Sequence, residues 1–178
     1  PHNVPEVMGR AFTNLRTGRP GPILVQIPRG LGDYNENEHP YTSPKGWRSA
    51  ADPDDVKAAV KALLAAKSPL IYAGAGVFYA DACAELRRFA EIVQVPVLTT
   101  LKGKSGFPEN HPLSVGVVDD PANYFLNKCD LLFAIGSSIS PERFSHRIPD
   151  ARHKTIVQCI VDETDLNRTY TAQYAVIG

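Results

Sequence analysis

Short apolar runs, each set off by glycine, proline or polar residues, constrain this chain more than anything else in it. They are Leu70-Ile71-Tyr72-Ala73, Pro96-Val97-Leu98-Thr99, Asp130-Leu131-Leu132-Phe133-Ala134-Ile135, Thr155-Ile156-Val157-Gln158-Cys159-Ile160 and Tyr174-Ala175-Val176-Ile177. They show no regular alternation of polar and apolar residues, so each strand is expected to be buried on both faces. Such strands belong to a parallel sheet with helices packed on either side. Residues 52–178 therefore read as one α/β domain, a doubly wound parallel sheet of Rossmann-like type with about six strands in a three-layer α/β/α arrangement.

The helical stretches between the runs have their own signals. Asp52-Pro53-Asp54-Asp55 places a capping carboxylate, a first-turn proline and further acids where a helix begins. Val56, Val60, Leu63 and Leu64 are its expected buried stripe, and Lys67-Ser68-Pro69 ends it. A second helix, about residues 80–93, is expected to bury Cys83, Leu86, Ala90 and Val93, and a short one covers about 121–128.

The front of the chain is different. Residues 5–17 carry Val7, Met8, Ala11, Phe12 and Leu15 at helical spacing, with Gly18 as the stop. The apolar run at 23–27 is expected to be a strand but has no partner in its neighbourhood. Residues 31–51, rich in proline, glycine and asparagine, read as a linker. The chain opens at Pro1 without a methionine and closes at Gly178 directly after an apolar run, so a piece of a longer protein is expected. Residues 1–30 would then be the end of a preceding domain, their strand separated from its own sheet and displaced, disordered or paired with another molecule.

Composition removes several classes. Lysine plus arginine equals aspartate plus glutamate at 19 each, which argues against a nucleic-acid partner or an anionic membrane surface. No apolar run approaches the roughly 20 residues needed to span a bilayer. Cys83, Cys129 and Cys159 are odd in number, lie far apart and sit among apolar residues, as buried thiols of a cytoplasmic protein do. His2, His39, His111, His146 and His153 show no metal-binding spacing.

In a doubly wound sheet, ligands bind beyond the carboxyl ends of the strands, where strand order reverses. Given the common order 3-2-1-4-5-6, the strands ending in Gly74-Ala75-Gly76 and Gly136-Ser137-Ser138 flank that crevice. Glycines would let the backbone approach a ligand, and following helices would aim free N–H groups at an anion. Thr100, Lys102 and Lys104 come from the next loop, and Asp162 could hold a ribose or simply cap a turn. Gly74, Gly76, Thr100, Lys102, Gly136, Ser137 and Asp162 are thus the candidate cofactor-binding residues. NAD is disfavoured because Thr99-Thr100 stands where the ribose carboxylate belongs. Glu142, Arg143 and His146 fall at near-helical spacing and read as a solvated face. No catalytic constellation is present in the pattern. A nucleotide-binding module that regulates a partner remains the alternative reading.

Taken in order, the motifs resemble the thiamine diphosphate-dependent enzymes of the acetolactate synthase and 2-oxoacid decarboxylase type. The segments are Gly18-Arg19-Pro20-Gly21-Pro22 with Ile27-Pro28, Lys67-Ser68-Pro69 through Gly76, Gln94 through Lys104, Pro108-Glu109-Asn110-His111-Pro112 and Cys129-Asp130-Leu131 through Gly136. The resemblance implies three parts: the end of a pyrimidine-binding domain over 1–30, a linker over 31–51 and the central Rossmann-like domain over 52–178. It implies a parent enzyme, a homo-oligomer (dimer or tetramer), that uses thiamine diphosphate and Mg²⁺ on a 2-oxo acid. The residues holding that cofactor would lie outside this chain, leaving it inactive alone. The family's central domain binds FAD in some members and ADP in others, and is an empty spacer in many. Ser138 stands where FAD-binding members carry arginine, and Gly116-Val117-Val118-Asp119-Asp120 replaces a glycine-rich segment. The strand end keeps only one of two usual acids at Asp162-Glu163. An empty cleft is therefore expected over FAD.

Overall fold

The computed structural model describes residues 2–117, 119–141 and 146–178. The chain divides into two compact units, Pro1–Ala50 and Ala51–Gly178.

The first unit contains one helix, α1 (Val4–Arg16). Ala11 is buried, Met8, Phe12 and Leu15 are half-buried, and Val7 of the expected apolar face is exposed. Thr17 leaves the helix extended and Gly18 follows at φ +69°, a left-handed conformation that glycine accepts without penalty. The rest of the unit is irregular, but part of it returns to α1. Arg16 Nη1 donates to Pro44 O (2.6 Å), Trp47 N donates to Thr17 Oγ1 (3.3 Å), and the rings of Phe12 and Tyr41 lie 6.4 Å apart. The expected strand at 23–27 does not form, and Ile23, Leu24 and Ile27 are exposed. The reason is topological: a strand exists only as part of a ladder, and this unit contains no other strand among its described residues.

The second unit opens as expected. The Asp52 side chain accepts from Asp54 N (2.8 Å) and starts α2 (Pro53–Ala65). Next come β1 (Pro69–Ala73), the short α3 (Gly76–Tyr79), α4 (Cys83–Val93), β2 (Val97–Thr99), β3 (Ser114–Gly116), α5 (Asp120–Lys128), β4 (Leu131–Ile135), β5 (Thr155–Ile160) and β6 (Tyr174–Ile177). All six strands pair in parallel in the order β3-β2-β1-β4-β5-β6. Alternate strand residues enter opposite layers. Ile71, Ala73, Leu131, Phe133 and Val157 pack with Ala59 and Leu63 of α2 and Leu86 and Ala90 of α4. Leu70, Tyr72, Leu132, Ala134 and Ile156 pack with Ala122 and Leu126 of α5. This is the three-layer doubly wound architecture.

Two details differ from the sequence reading. The buried stripe of α2 is Ala59 and Leu63, while Val56 and Leu64 face solvent at 39% and 68% exposure. Helix periodicity identifies a face only within about one residue step, and here the smaller alanine lies at the centre. Secondly, no α-helix stands between β4 and β5 among the described residues, where only a 3₁₀ turn at Ala151–His153 forms. Instead the β4–β5 connection sends Ile139 and Ile148 into the core. Glu142 and Arg143 lie outside the described residues.

The amino-terminal edge of the sheet is fastened by Asp130. Its carboxylate accepts from Lys67 N (2.8 Å) and Ser68 N (2.9 Å), tying the α2–β1 turn to β4. Partial burial pushes this carboxyl up, but the backbone N–H bonds outweigh it and hold it below its ordinary 3.8. A depressed folded-state pKa gives stability that is complete above the unfolded value and is lost as pH falls through the folded one. Asp130→Ala should therefore destabilise the domain by about 2 kcal/mol at pH 7, with the difference from wild type shrinking below about pH 4. Urea titrations of both proteins across pH 2–7 read this directly, and a difference independent of pH would refute the assignment.

Candidate functional site at the carboxyl ends of the strands

Strand order reverses between β1 and β4, so the turns leaving these two strands define the switch point. They are in direct backbone contact. Gly74 N donates to Ile135 O (2.8 Å), Gly76 N to Gly136 O (2.9 Å) and Gly136 N to Cys159 O (2.9 Å). A Cβ on Gly74 would fall on the Gly136 carbonyl oxygen, and one on Gly76 would lie 2.6 Å from Gly136 Cα. Gly136 itself has φ +61°. The three glycines are therefore required by the packing of one turn on the other.

The β2 turn joins them. Thr100 N donates to Ala73 O (2.9 Å), and Thr100 Oγ1 accepts from Gly103 N (2.9 Å), closing a 3₁₀ turn at Leu101–Gly103. A Cβ on Gly103 would lie 2.7 Å from Ala73 O. Lys102, in the middle of this turn, is exposed. Ser137 Oγ accepts from Ile139 N (3.3 Å). Asp162, at the end of β5, accepts from Thr164 N (3.0 Å) and Thr164 Oγ1 (2.7 Å) and caps the turn Glu163–Asp165. The structure thus gathers the β1, β2 and β4 turns at one edge, while Asp162 serves as a turn cap on the neighbouring strand.

A diphosphate needs backbone N–H groups that point outward. Here the amides of the Gly74 turn are engaged internally: Val77 N donates to Gly74 O, and both Phe78 N and Tyr79 N donate to Ala75 O. The start of α5 carries its own acids, Asp119 at φ +88° and Asp120 in the first turn. These engaged amides are not turned outward toward a diphosphate such as that of FAD or ADP.

Two buried polar side chains that the sequence reading did not use, Gln158 and Tyr72, organise this edge. Gln158 is 1% exposed, and its Nε2 donates to Ser137 O (3.3 Å) and Asp165 O (3.4 Å), joining the turns after β4 and β5. It interrupts the apolar run 155–160, which is the signal that could have found it. Tyr72 is 1% exposed, and its hydroxyl is hydrogen-bonded to His146 Nδ1 (3.1 Å). Burial pushes the Tyr72 phenol up to about 12, so it remains neutral, and burial pushes the His146 imidazole down. At the opposite edge, where β2 and β3 begin, His111 of the Pro-Glu-Asn-His-Pro stretch accepts from Leu113 N at Nδ1 (3.2 Å) and so donates from Nε2 to Glu91 on α4 (3.1 Å). The imidazole clamps the β2–β3 loop to that helix. Burial pushes the Cys129 and Cys159 thiols up, which suits inert core residues.

Sheet order and interlocked turns define a Rossmann-like α/β domain of the doubly wound class. The profile of the central domain of thiamine pyrophosphate enzymes matches residues 56–178, and the chain belongs to that family. It is 34% identical to the acetolactate synthase large subunit of Corynebacterium glutamicum, over 100% of this chain and 30% of that protein. It is likewise 34% identical to the acetolactate synthase large subunit of Parasynechococcus marenigrum, over 100% of this chain and 30% of the relative. Among solved structures, an enzyme from Mycobacterium smegmatis described as thiamin diphosphate-dependent shares the fold with a TM-score of 0.73 at 22% identity, over 99% of this chain and 35% of that one. The chain therefore spans about a third of the length of these relatives.

Proposed function

We propose that the protein carrying this chain is a thiamine diphosphate- and Mg²⁺-dependent enzyme of the acetolactate synthase type, a carboligase or decarboxylase acting on a 2-oxo acid, assembled as a homo-oligomer in the cytoplasm. The supporting observation is the 34% identity to acetolactate synthase large subunits across the whole chain. Residues 52–178 would form its central domain, and residues 1–30 the end of the domain before it. When bound, thiamine diphosphate supplies a site where the carbanion left by decarboxylation is stabilised. No group of three or more histidine, cysteine, aspartate or glutamate side chains suited to a metal is present among the described residues. In this reading, as the family resemblance implies, the cofactor's ligands lie in the flanking domains.

In this reading the chain contributes position. A sheet buried on both faces, with its carboxyl-edge turns locked by Gly74, Gly76 and Gly136, makes a stiff spacer between two cofactor-binding domains. Thr100, Lys102, Ser137 and Asp162 are the polar rim of that spacer. The nucleotide-module alternative gains no support from the internally bonded amides. Calorimetric titration of the full-length protein with thiamine diphosphate and Mg²⁺ should show saturable binding, together with CO₂ release from a 2-oxo acid. The 178-residue chain alone should show neither. Failure of the full-length protein to bind the cofactor sinks the proposal. A rise in the chain's melting temperature with FAD or ADP would overturn the spacer role.

A further inference from the structure

His111 holds two elements at once, and the two bonds demand one charge state. Its side chain is 14% exposed. Nδ1 accepts from Leu113 N (3.2 Å), which requires a bare nitrogen at that position. Nε2 therefore carries the proton and donates to Glu91 Oε1 (3.1 Å). Phe107 packs edge-on against the imidazole, with ring centroids 5.0 Å apart at 75°. The chain around the ring feeds directly into the sheet: Ser114 N donates to His111 O (2.9 Å), and Val97 N donates to Leu113 O (2.8 Å). The loop partner of the imidazole is thus the residue that enters β3 and ties it to β2. β3 is an outermost strand of only three residues, and its pairing with β2 shifts register between Val97 and Leu98. The Leu113 bond is accordingly a sizeable share of what holds the start of this strand.

Imidazole is the side chain whose charge changes near neutral pH. A proton on Nδ1 would set that N–H against the Leu113 N–H, two donors with no acceptor between them. Turning the ring over offers no escape, because both nitrogens of the cation are donors. The bond from Nε2 to Glu91 meanwhile becomes charge-assisted and survives. The charged groups that bond to the ring or to its partner are Glu91 and Arg87, both on α4, and Arg87 Nε donates to the same Glu91 oxygen (2.9 Å). Bonds from Arg87, and then from His111, hold the Glu91 carboxyl below its ordinary 4.5, so it is ionised throughout the range in which an imidazole titrates. On the ring's own loop, Glu109 is engaged by Lys104 Nζ (3.8 Å) and Ser105 Oγ (3.5 Å). Its other loop neighbours, Phe107, Pro112 and Leu113, are uncharged. Protonation therefore exchanges a bond that joins loop to helix for an ion pair that holds the ring to the helix, and it leaves the half-buried Leu113 amide to find water.

We propose that His111 is a charge-controlled latch on the sheet edge: neutral, it holds the Leu113 amide and the start of β3 to α4; protonated, it keeps Glu91 and releases Leu113. The latch goes beyond the enzyme role proposed above and does not depend on it. The test is amide hydrogen exchange of the ¹⁵N-labelled chain between about pH 5 and 8, expressed as protection factors, with the His111 ring nitrogens followed in parallel. Leu113 protection is expected to fall about tenfold or more as the ring takes up its proton, while the amides of Ile71 and Phe133 at the sheet centre keep theirs. His111→Gln retains one acceptor and one donor without a titrating charge, and should show no such step. Glu91→Gln leaves the Leu113 bond in place and should keep the step, so wild type and this variant decide the matter even if His111→Gln folds poorly. The proposal is overturned by Leu113 protection that stays flat while the ring titrates, by a ring that stays neutral down to about pH 5, or by a loss of protection shared with Ile71 and Phe133. A step that persists in His111→Gln, or one that vanishes in Glu91→Gln, overturns it equally.

Discussion

Gly136→Ala should unfold this domain or leave it close to unfolding. The new Cβ would lie 2.7 Å from Gly76 Cα and 2.8 Å from Val77 N, and neither backbone atom can swing aside as a side-chain end could. The φ of +61° adds a separate penalty of roughly 1 kcal/mol for any L-residue with a side chain. Separating the turns would also break the Gly76 N to Gly136 O and Gly74 N to Ile135 O bonds. Together these set the expected loss at about 4 kcal/mol or more, a large share of the stability of a domain this size. Urea denaturation followed by circular dichroism measures it. Gly9→Ala in α1 is the matched control: nothing lies within 4 Å of its added Cβ, and helix propensity predicts a gain of up to about 1 kcal/mol. A loss below about 1 kcal/mol in Gly136→Ala would mean that the turns separate freely, and the spacer argument would lose its basis.

Lys154→Met should cost about 2–4 kcal/mol, although it replaces a charged residue with an apolar one of similar length. Lys154 is 7% exposed, and its ammonium donates to Cys129 O (2.7 Å) and Asn127 O (3.2 Å). These carbonyls stand at the carboxyl end of α5, which has few intrahelical partners left for them. The cation also complements the negative end of that helix. Methionine fills the space but leaves both carbonyls without this donor. Thermal or urea unfolding compared with Lys154→Arg separates the causes, because arginine keeps the charge and can recover part of the loss. Equal stability of the Lys154→Met variant and the wild-type protein would show that water satisfies the carbonyls and that the buried ammonium contributes little.

The sheet was legible because its strands are apolar without a polar face, a pattern that only burial on both sides explains. The start of α2 was equally clear, since Asp52 and Pro53 act on their own neighbours through local bonds. The run at 23–27 shows the limit of such reasoning. It has the composition of a strand, yet a ladder needs a second strand that composition cannot supply. At the switch point, the glycines were found but not what they contact. A Gly-x-Gly turn has the same local signature whether its amides face a phosphate or another turn. Only the β1–β4 pairing brings Gly136 onto Gly76.

The same division separates the remaining polar residues. Nothing local distinguishes Lys154 from the exposed Arg152 two residues earlier; the carbonyls that bury it lie 25 and 27 residues away. Asp130 reaches back 62 and 63 residues to its amides, and His111 reaches Glu91 across a loop and a strand. By itself, then, the sequence determined the fold class, the helix starts and the family resemblance, because these rest on short-range periodicity, capping and ordered motifs. Tertiary structure decided which polar groups became fasteners and which glycines became contacts, because those depend on partners brought together only when the sheet closes.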